Sequence, residues 1–264
     1  MKPNDDEMEH LPPDNDQHDK KMQRGIYLLP NLLTTAALFA GFYAIVAAMK
    51  GHFDSAAIAI FIAMIADGLD GRVARLTHTQ SPFGAQYDSL SDMAAFGIAP
   101  ALVLYSWSLF HLGKLGWLAA FLYAAATALR LARFNTQVSD KAYFQGLPSP
   151  AAAGICASIV WMLADYELKG LAIAVPLAFL TVITSALMVS TIRYSSFKSV
   201  DFKGRVPFLT IVVAVFIITA IALEPAEMLF VVFFIYLVSG PVHTLLSLRK
   251  MRRNRTNEQK SSLK

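Results

Sequence analysis

Long apolar stretches alternate with short polar connectors along this chain, and most approach the roughly 20 residues that a helix needs to cross a bilayer. They fall at about Pro30–Met49, Phe53–Leu76, Gly84–Leu112, Leu115–Asn135, Ala151–Ala164, Leu171–Val189, Pro207–Leu223 and Met228–Leu246. The pattern predicts an all-α integral membrane protein with about eight transmembrane helices. Pro30 suits the first turn of a spanning helix, where its missing amide hydrogen costs nothing. Trp107 and Trp117 stand near helix ends, where aromatic rings favour the membrane interface. No internal repeat is evident. Residues 1–19 read as a disordered acidic tail, residues 20–29 as an interfacial juxtamembrane segment with Tyr27 as its anchor, and residues 249–264 as a basic tail.

The second stretch breaks the pattern. It is apolar only from Ala56 to Ala66, too short to span, and then carries Asp67, Asp70, Arg72 and Arg75. A connector follows in which Ser81-Pro82 signals a turn and His78 reads as a solvated loop residue. The third stretch then brings Gly84, Asp88 and Asp92. Asp67 and Asp70 are three apart and Asp88 and Asp92 four apart, so each pair shares a helix face. Acids at membrane depth are costly and mark functional sites. Four such carboxylates would repel one another, and hard divalent cations are the natural remedy, because oxygen-only ligand sets suit magnesium, manganese or calcium. One aspartate alone would read as a helix cap or a solvated loop residue. Four at paired spacings, with Gly68, Gly71 and Gly84 between them, read as a metal and phosphate site. The glycines leave room for a bulky phosphorylated group, and Arg72 and Arg75 add charge suited to phosphate.

Asp67-Gly68, Asp70-Gly71, Ala74-Arg75, Gly84, Asp88 and Asp92 match every fixed position of D-x2-D-G-x2-A-R-x8-G-x3-D-x3-D. In this the chain resembles the CDP-alcohol phosphatidyltransferases. The resemblance implies a catalytic six-helix core over residues 30–190, two further transmembrane helices within 191–248, and a site for CDP-diacylglycerol and two divalent cations, Mg2+ or Mn2+. It implies that Asp67, Asp70 and Asp88 hold the first ion and Asp88 with Asp92 the second. Gly71 and Arg75 would contact the CDP part, with Ser81 a further candidate. Asp92 would accept the proton of the attacking alcohol, whose oxygen attacks the β-phosphorus as CMP leaves. Asn31 and Thr34 begin the first spanning helix. There Asn31 either satisfies the helix start or reaches the nucleotide, as a similar P-N-L-L-T motif does in this family.

A second polar cluster, L-R-L-A-R-F-N, ends the fourth stretch, and F-Q-G-L-P-S-P follows before the fifth. Its Arg130 and Arg133 are either ordinary positive-inside charges or a grip on an anionic substrate group, and the cost of arginine at membrane depth favours the grip. These segments resemble the branch of the family that takes L-serine as its acceptor, closely over residues 25–160 and only in character over the last three helices. That resemblance implies serine binding by Arg130 and Arg133, through the serine carboxylate. Glycerol 3-phosphate is the alternative acceptor, since a phosphate would also suit two arginines.

Eight spans bring both termini to one side. The connectors on that side hold Lys20, Lys21, Arg24, Arg72, Arg75, Arg130 and Arg133 among many basic residues, whereas the opposite short loops hold Lys50, Lys114 and Lys169. The positive-inside rule then puts the aspartates, the arginines and both tails in the cytoplasm, and the resemblance implies a bacterial inner membrane. Composition agrees with the class: of 264 residues 55% are hydrophobic and 16% charged. The N-terminus is polar and acidic, unlike a cleavable signal peptide. Cys156 is the one cysteine and lies in an apolar stretch, so disulfides are not expected. The basic cluster from Arg249 to Arg255 directly follows an apolar helix and reads as contact with anionic lipid headgroups, not nucleic acid. An ion-coupled transporter would also hold intramembrane acids, but its inverted repeats of broken helices are missing. A homodimer is expected from the resemblance and from the bland helices beyond the core, with Ala36, Ala37 and Gly41 available for close packing.

Overall fold

The computed structural model describes residues 15–136, 143–166, 168, 171–195 and 208–262. The first 14 residues of the acidic tail lie outside them. Each apolar stretch is helical over its described residues: α1 (Asn15–Met49), α2 (Phe53–Leu76), α3 (Pro82–Asp92), α4 (Ala99–Trp107), α5 (Lys114–Thr136), α6 (Ser149–Asp165), α7 (Leu171–Val189), α8 (Phe208–Leu223) and α9 (Pro225–Ser262). Among the described residues, five segments are long and apolar enough to cross a membrane: Leu28–Met49, Pro82–Trp107, Lys114–Thr136, Leu171–Val189 and Pro225–Leu246. Among the others, α2 is held back by its charged half, and α6 is apolar but shorter. Phe39, Phe42, Ile62, Phe121 and Phe179 are exposed on helix faces, as lipid-facing residues must be. The chain is a multi-pass, all-α membrane protein.

Two features depart from the simple helix pattern. Pro30 lies inside α1, not at its start, because the helix begins at Asn15 and takes in the juxtamembrane piece without a break. The third stretch is not one regular helix. Directly after Asp92 the backbone passes through a π-helical turn, Met93–Ile98, before α4, and a 3-10 turn, Leu109–Leu112, follows it. A π turn adds a residue to the local repeat and re-aims the side chains that flank it.

Small residues let the helices approach closely. Ala40, Ala44, Ala47 and Ala48 of α1 are buried in one core with Ala56, Ala57, Ala59 and Ala63 of α2. A Cβ at Gly41 would come within 2.7 Å of the Ala95 backbone, so only glycine admits the π turn against α1. Ala37 and Gly41 are therefore spent on packing within the chain, while Ala36 stays exposed. Trp107 is buried in the core and Trp117 remains exposed.

A short antiparallel strand pair closes the polar end of the bundle. β1 (Tyr143–Gln145), between α5 and α6, pairs with β2 (Arg193–Ser195), after α7, in the register Phe144 to Tyr194. Gly146 follows at φ +79, where its amide donates to Ile192 O at 2.8 Å. That backbone conformation favours glycine. Tyr194 is buried, and its hydroxyl donates to Leu237 O of α9 at 3.0 Å.

Candidate active site

The aspartates converge because two helix ends face each other across a connector. α2 ends at Leu76 and the chain reverses through His78, exposed and in the left-handed region at φ 54. Thr79 N then bonds back to Ala74 O at 3.0 Å. Ser81 caps α3, its Oγ accepting from Gly84 N at 2.9 Å, and Pro82 occupies the first turn. The reversal sets Asp67 and Asp70 of α2 opposite Asp88 of α3. One carboxylate oxygen from each lies within 4.8 Å of the others.

Thr34 of a third helix, with Ser91 of α3, fixes this geometry. Thr34 of α1 donates from Oγ1 to Asp70 Oδ2 at 2.7 Å, and Thr34 O accepts from Ser91 Oγ of α3 at 3.0 Å. All three residues are buried. Asp92, one turn beyond Asp88, stands outside the tight group but is in hydrogen-bond contact with Asp67 and close to Asp88 and Arg130. The donor set fits a hard divalent cation: it is made of carboxylate oxygens, and Asp88 Oδ1 is buried with no hydrogen-bond partner among the described residues.

A cleft of about 320 Å³ opens beside these carboxylates, lined by Asn31, Thr34, Asp70, Gly71, Arg75, Ser81 and Asp88 among others. The Arg75 guanidinium hangs over Gly71, 3.9 Å from where a Cβ would sit. Gly84 faces Ser81 Oγ and Asn31 Oδ1, at 3.1 and 3.4 Å from a would-be Cβ, so its lack of a side chain keeps this wall open. Asn31 caps nothing, since α1 runs through it; its place is in the cleft wall. Ser81 is both a cap and a wall residue.

The two arginines of α5 part company. Arg133 is engaged by the protein: Nη2 donates to Gln145 Oε1 at 2.6 Å and Nη1 to Val189 O at 3.3 Å. Asn135 beside it donates to Ser89 Oγ of α3 at 2.9 Å. Arg130 points inward. Its Nη1 donates to Ser149 Oγ at 2.6 Å, and its Nε is buried with no hydrogen-bond partner among the described residues. A half-buried guanidinium with a buried donor left over, close to Asp92, is suited to an anionic ligand. Ser149 belongs to the F-Q-G-L-P-S-P segment, but nothing in the sequence gave it a role of its own, and it begins α6. Tyr236 of α9, in electrostatic reach of Arg130, sits in an apolar helix that gave no signal at all.

Three aspartates whose carboxylates could hold a metal ion thus stand beside a polar cleft, in a bundle of helices several of which are long and apolar enough to cross a membrane. The profile of the CDP-alcohol phosphatidyltransferase family matches residues 27–182, and the chain belongs to that family. A CDP-diacylglycerol–serine O-phosphatidyltransferase of Helicobacter pylori is 39% identical over 229 residues, covering 86% of this chain and 94% of the relative. Its namesake in Mycobacterium tuberculosis is 33% identical over 228 residues, with 83% and 79% covered. An archaetidylserine synthase of Methanothermobacter thermautotrophicus is 35% identical over 179 residues, with 67% and 73% covered.

Proposed function

We propose that this protein transfers the phosphatidyl group of CDP-diacylglycerol to the hydroxyl of L-serine and releases CMP. The observation that carries the transfer is the convergence of Asp67, Asp70 and Asp88 on a cleft that Gly71 and Arg75 line. Serine as acceptor is supported by the names of relatives that cover most of the chain and by Arg130, which stands close to Asp92 and whose buried Nε has no partner among the described residues.

In this reading Asp67, Asp70 and Asp88 hold one divalent cation, Mg2+ or Mn2+, and Asp88 with Asp92 a second. Bound there, the cations neutralise phosphate oxygens and the charge that develops on the leaving group. Arg75 and the open face of Gly71 seat the CDP part, with Asn31, Thr34 and Ser81 along the wall. Asp92 accepts the proton of the serine hydroxyl, close to Asp88 and Arg130. The hydroxyl oxygen bonds to the β-phosphorus, the bond from that phosphorus to the bridging oxygen breaks, and CMP leaves with the electron pair. Arg130 draws the serine carboxylate, and Arg133 shapes that pocket through Gln145.

The positive-inside bias supports an active site and termini that face the cytoplasm of a bacterial inner membrane, and we propose a homodimer as the working assembly. The test is purified protein with CDP-diacylglycerol, Mg2+ or Mn2+, and each alcohol in turn. CMP release with serine is the expected result. Faster release with glycerol 3-phosphate would favour the phosphate acceptor that two arginines would also suit. A monomer in both mild detergent and nanodiscs would rule out the dimer.

A further inference from the structure

α9 starts at Pro225, well beyond the region matched by the family profile, and yet it reaches the acceptor end of the site. Several contacts place it there. Asp165 at the end of α6 is in electrostatic reach of Glu227 at the start of α9, and Gly154 earlier in α6 meets Phe233 later in α9, so the two helices run antiparallel. Further along, the Phe233 ring lies on Gly154, where a Cβ would come within 2.5 Å of it. Tyr236 is three residues on from Phe233 and so on the same helix face, nearer the α6 end that begins with Ser149. Ser149 is the residue that accepts from Arg130. The Tyr236 ring is fixed from the other side by Tyr194, with centroids 5.5 Å apart. Tyr194 in turn is keyed into α9: its hydroxyl donates to Leu237 O, and its ring fills the space that a Cβ at Gly240 would need.

We propose that Tyr236 joins Arg130 in recognising the carboxylate of an amino-acid alcohol, and so helps set the choice of acceptor. This rests on the serine reading above. One Arg130 donor is committed to Ser149, and the buried Nε is left for a ligand. A guanidinium edge and a neighbouring phenol present donors to a singly charged carboxylate without adding further positive charge. A phosphate dianion would call for a second cation close by, and Arg133 is engaged elsewhere, by Gln145 and Val189. The strand pair therefore does more than close the bundle: through Tyr194 it holds a helix from outside the shared family region against the acceptor pocket.

The test uses the full chain in detergent with CDP-diacylglycerol and Mg2+. Tyr236→Phe should raise the KM for serine about tenfold or more, as expected for one lost hydrogen bond to a charged group. The KM for CDP-diacylglycerol should stay within about twofold. Serinol, which has the serine amine and hydroxyl but no carboxylate, should react equally with wild type and variant. Gly240→Ala, which forces the Tyr194 ring off α9, should move serine KM the same way by displacing Tyr236. An unchanged serine KM in Tyr236→Phe would overturn the proposal while leaving serine as the acceptor. Equal losses with serine, serinol and CDP-diacylglycerol would reduce Tyr236 to packing and overturn it as well. A wild type that releases CMP with another alcohol but not with serine would bring down the acceptor reading itself.

Discussion

The aspartate end of the site and its arginine end are built in different ways. Asp67, Asp70, Asp88 and Asp92 come from two helix ends joined by one short connector, and helical spacing aims the first three at a common point with Asp92 one turn beyond. Arg130 and Arg133 sit three apart on one helix, yet their partners come from Gln145, Ser149 and Val189, with Tyr236 close by, on four other segments. The first end is a local construction with one outside brace, Thr34. The second is assembled from distant parts of the chain. Chemistry shared by a whole family suits the local construction. A pocket that must distinguish one alcohol from another can be altered piece by piece when each wall comes from a different segment.

If that contrast is right, the aspartate end should fail abruptly and for every acceptor. Asp67→Asn or Asp88→Asn should lower CMP release by at least ~10²–10³-fold with any alcohol, on the scale of losing a principal electrostatic stabiliser. Near-normal turnover in either folded variant would end the metal account. Asp92→Asn should lower kcat by about 10²-fold or more, in the range for a lost general base, with CDP-diacylglycerol binding largely kept. An equal fall in nucleotide-lipid binding would make Asp92 chiefly a ligand.

The same contrast decides what was legible beforehand. Spacings of three and four along a helix are visible in a sequence, so the aspartates and the glycines between them could be read directly. The eight apolar stretches were legible for the same reason, each being a long run of one character. Asn31 was open to misreading because a proline before a polar residue looks like a helix start, whereas α1 continues through Pro30. The π turn after Asp92 leaves no mark in the alternation of apolar residues. Arg130 and Arg133 look equivalent in sequence, and only contacts from other segments separate them. Tyr236 was hidden by its setting, one phenol in an otherwise apolar helix.

Thr34 offers a milder test of the local construction. Thr34→Val keeps the shape and keeps the backbone carbonyl that accepts from Ser91, but removes the 2.7 Å hydrogen bond to Asp70. Asp70 retains its backbone hydrogen bond from Gly71. The metal concentration for half-maximal rate should rise about tenfold, as is typical when a partner that orients a metal ligand is lost. The rate at saturating metal should recover. A loss that metal does not rescue would mean Thr34 acts on the nucleotide and not through Asp70.

The smallest effects belong to the arginine end, and there the two arginines should separate. Arg130→Lys keeps the charge but loses the planar fork, and the serine KM should rise about fivefold, worth roughly 1 kcal/mol. Arg133→Lys should cost about twofold at most, because its contacts to Gln145 Oε1 and Val189 O shape the pocket without using the substrate. Serine methyl ester, which lacks the carboxylate charge, should be a poor substrate for the wild type and indifferent to Arg130→Lys. CDP-diacylglycerol affinity should hold in both variants, since neither arginine lines the cleft beside Gly71. Equal effects of the two substitutions on serine KM would mean that both arginines touch the acceptor. An unchanged serine KM in Arg130→Lys with reduced kcat would instead tie Arg130 to Asp92, its acidic neighbour, and move it from binding the acceptor to positioning the base.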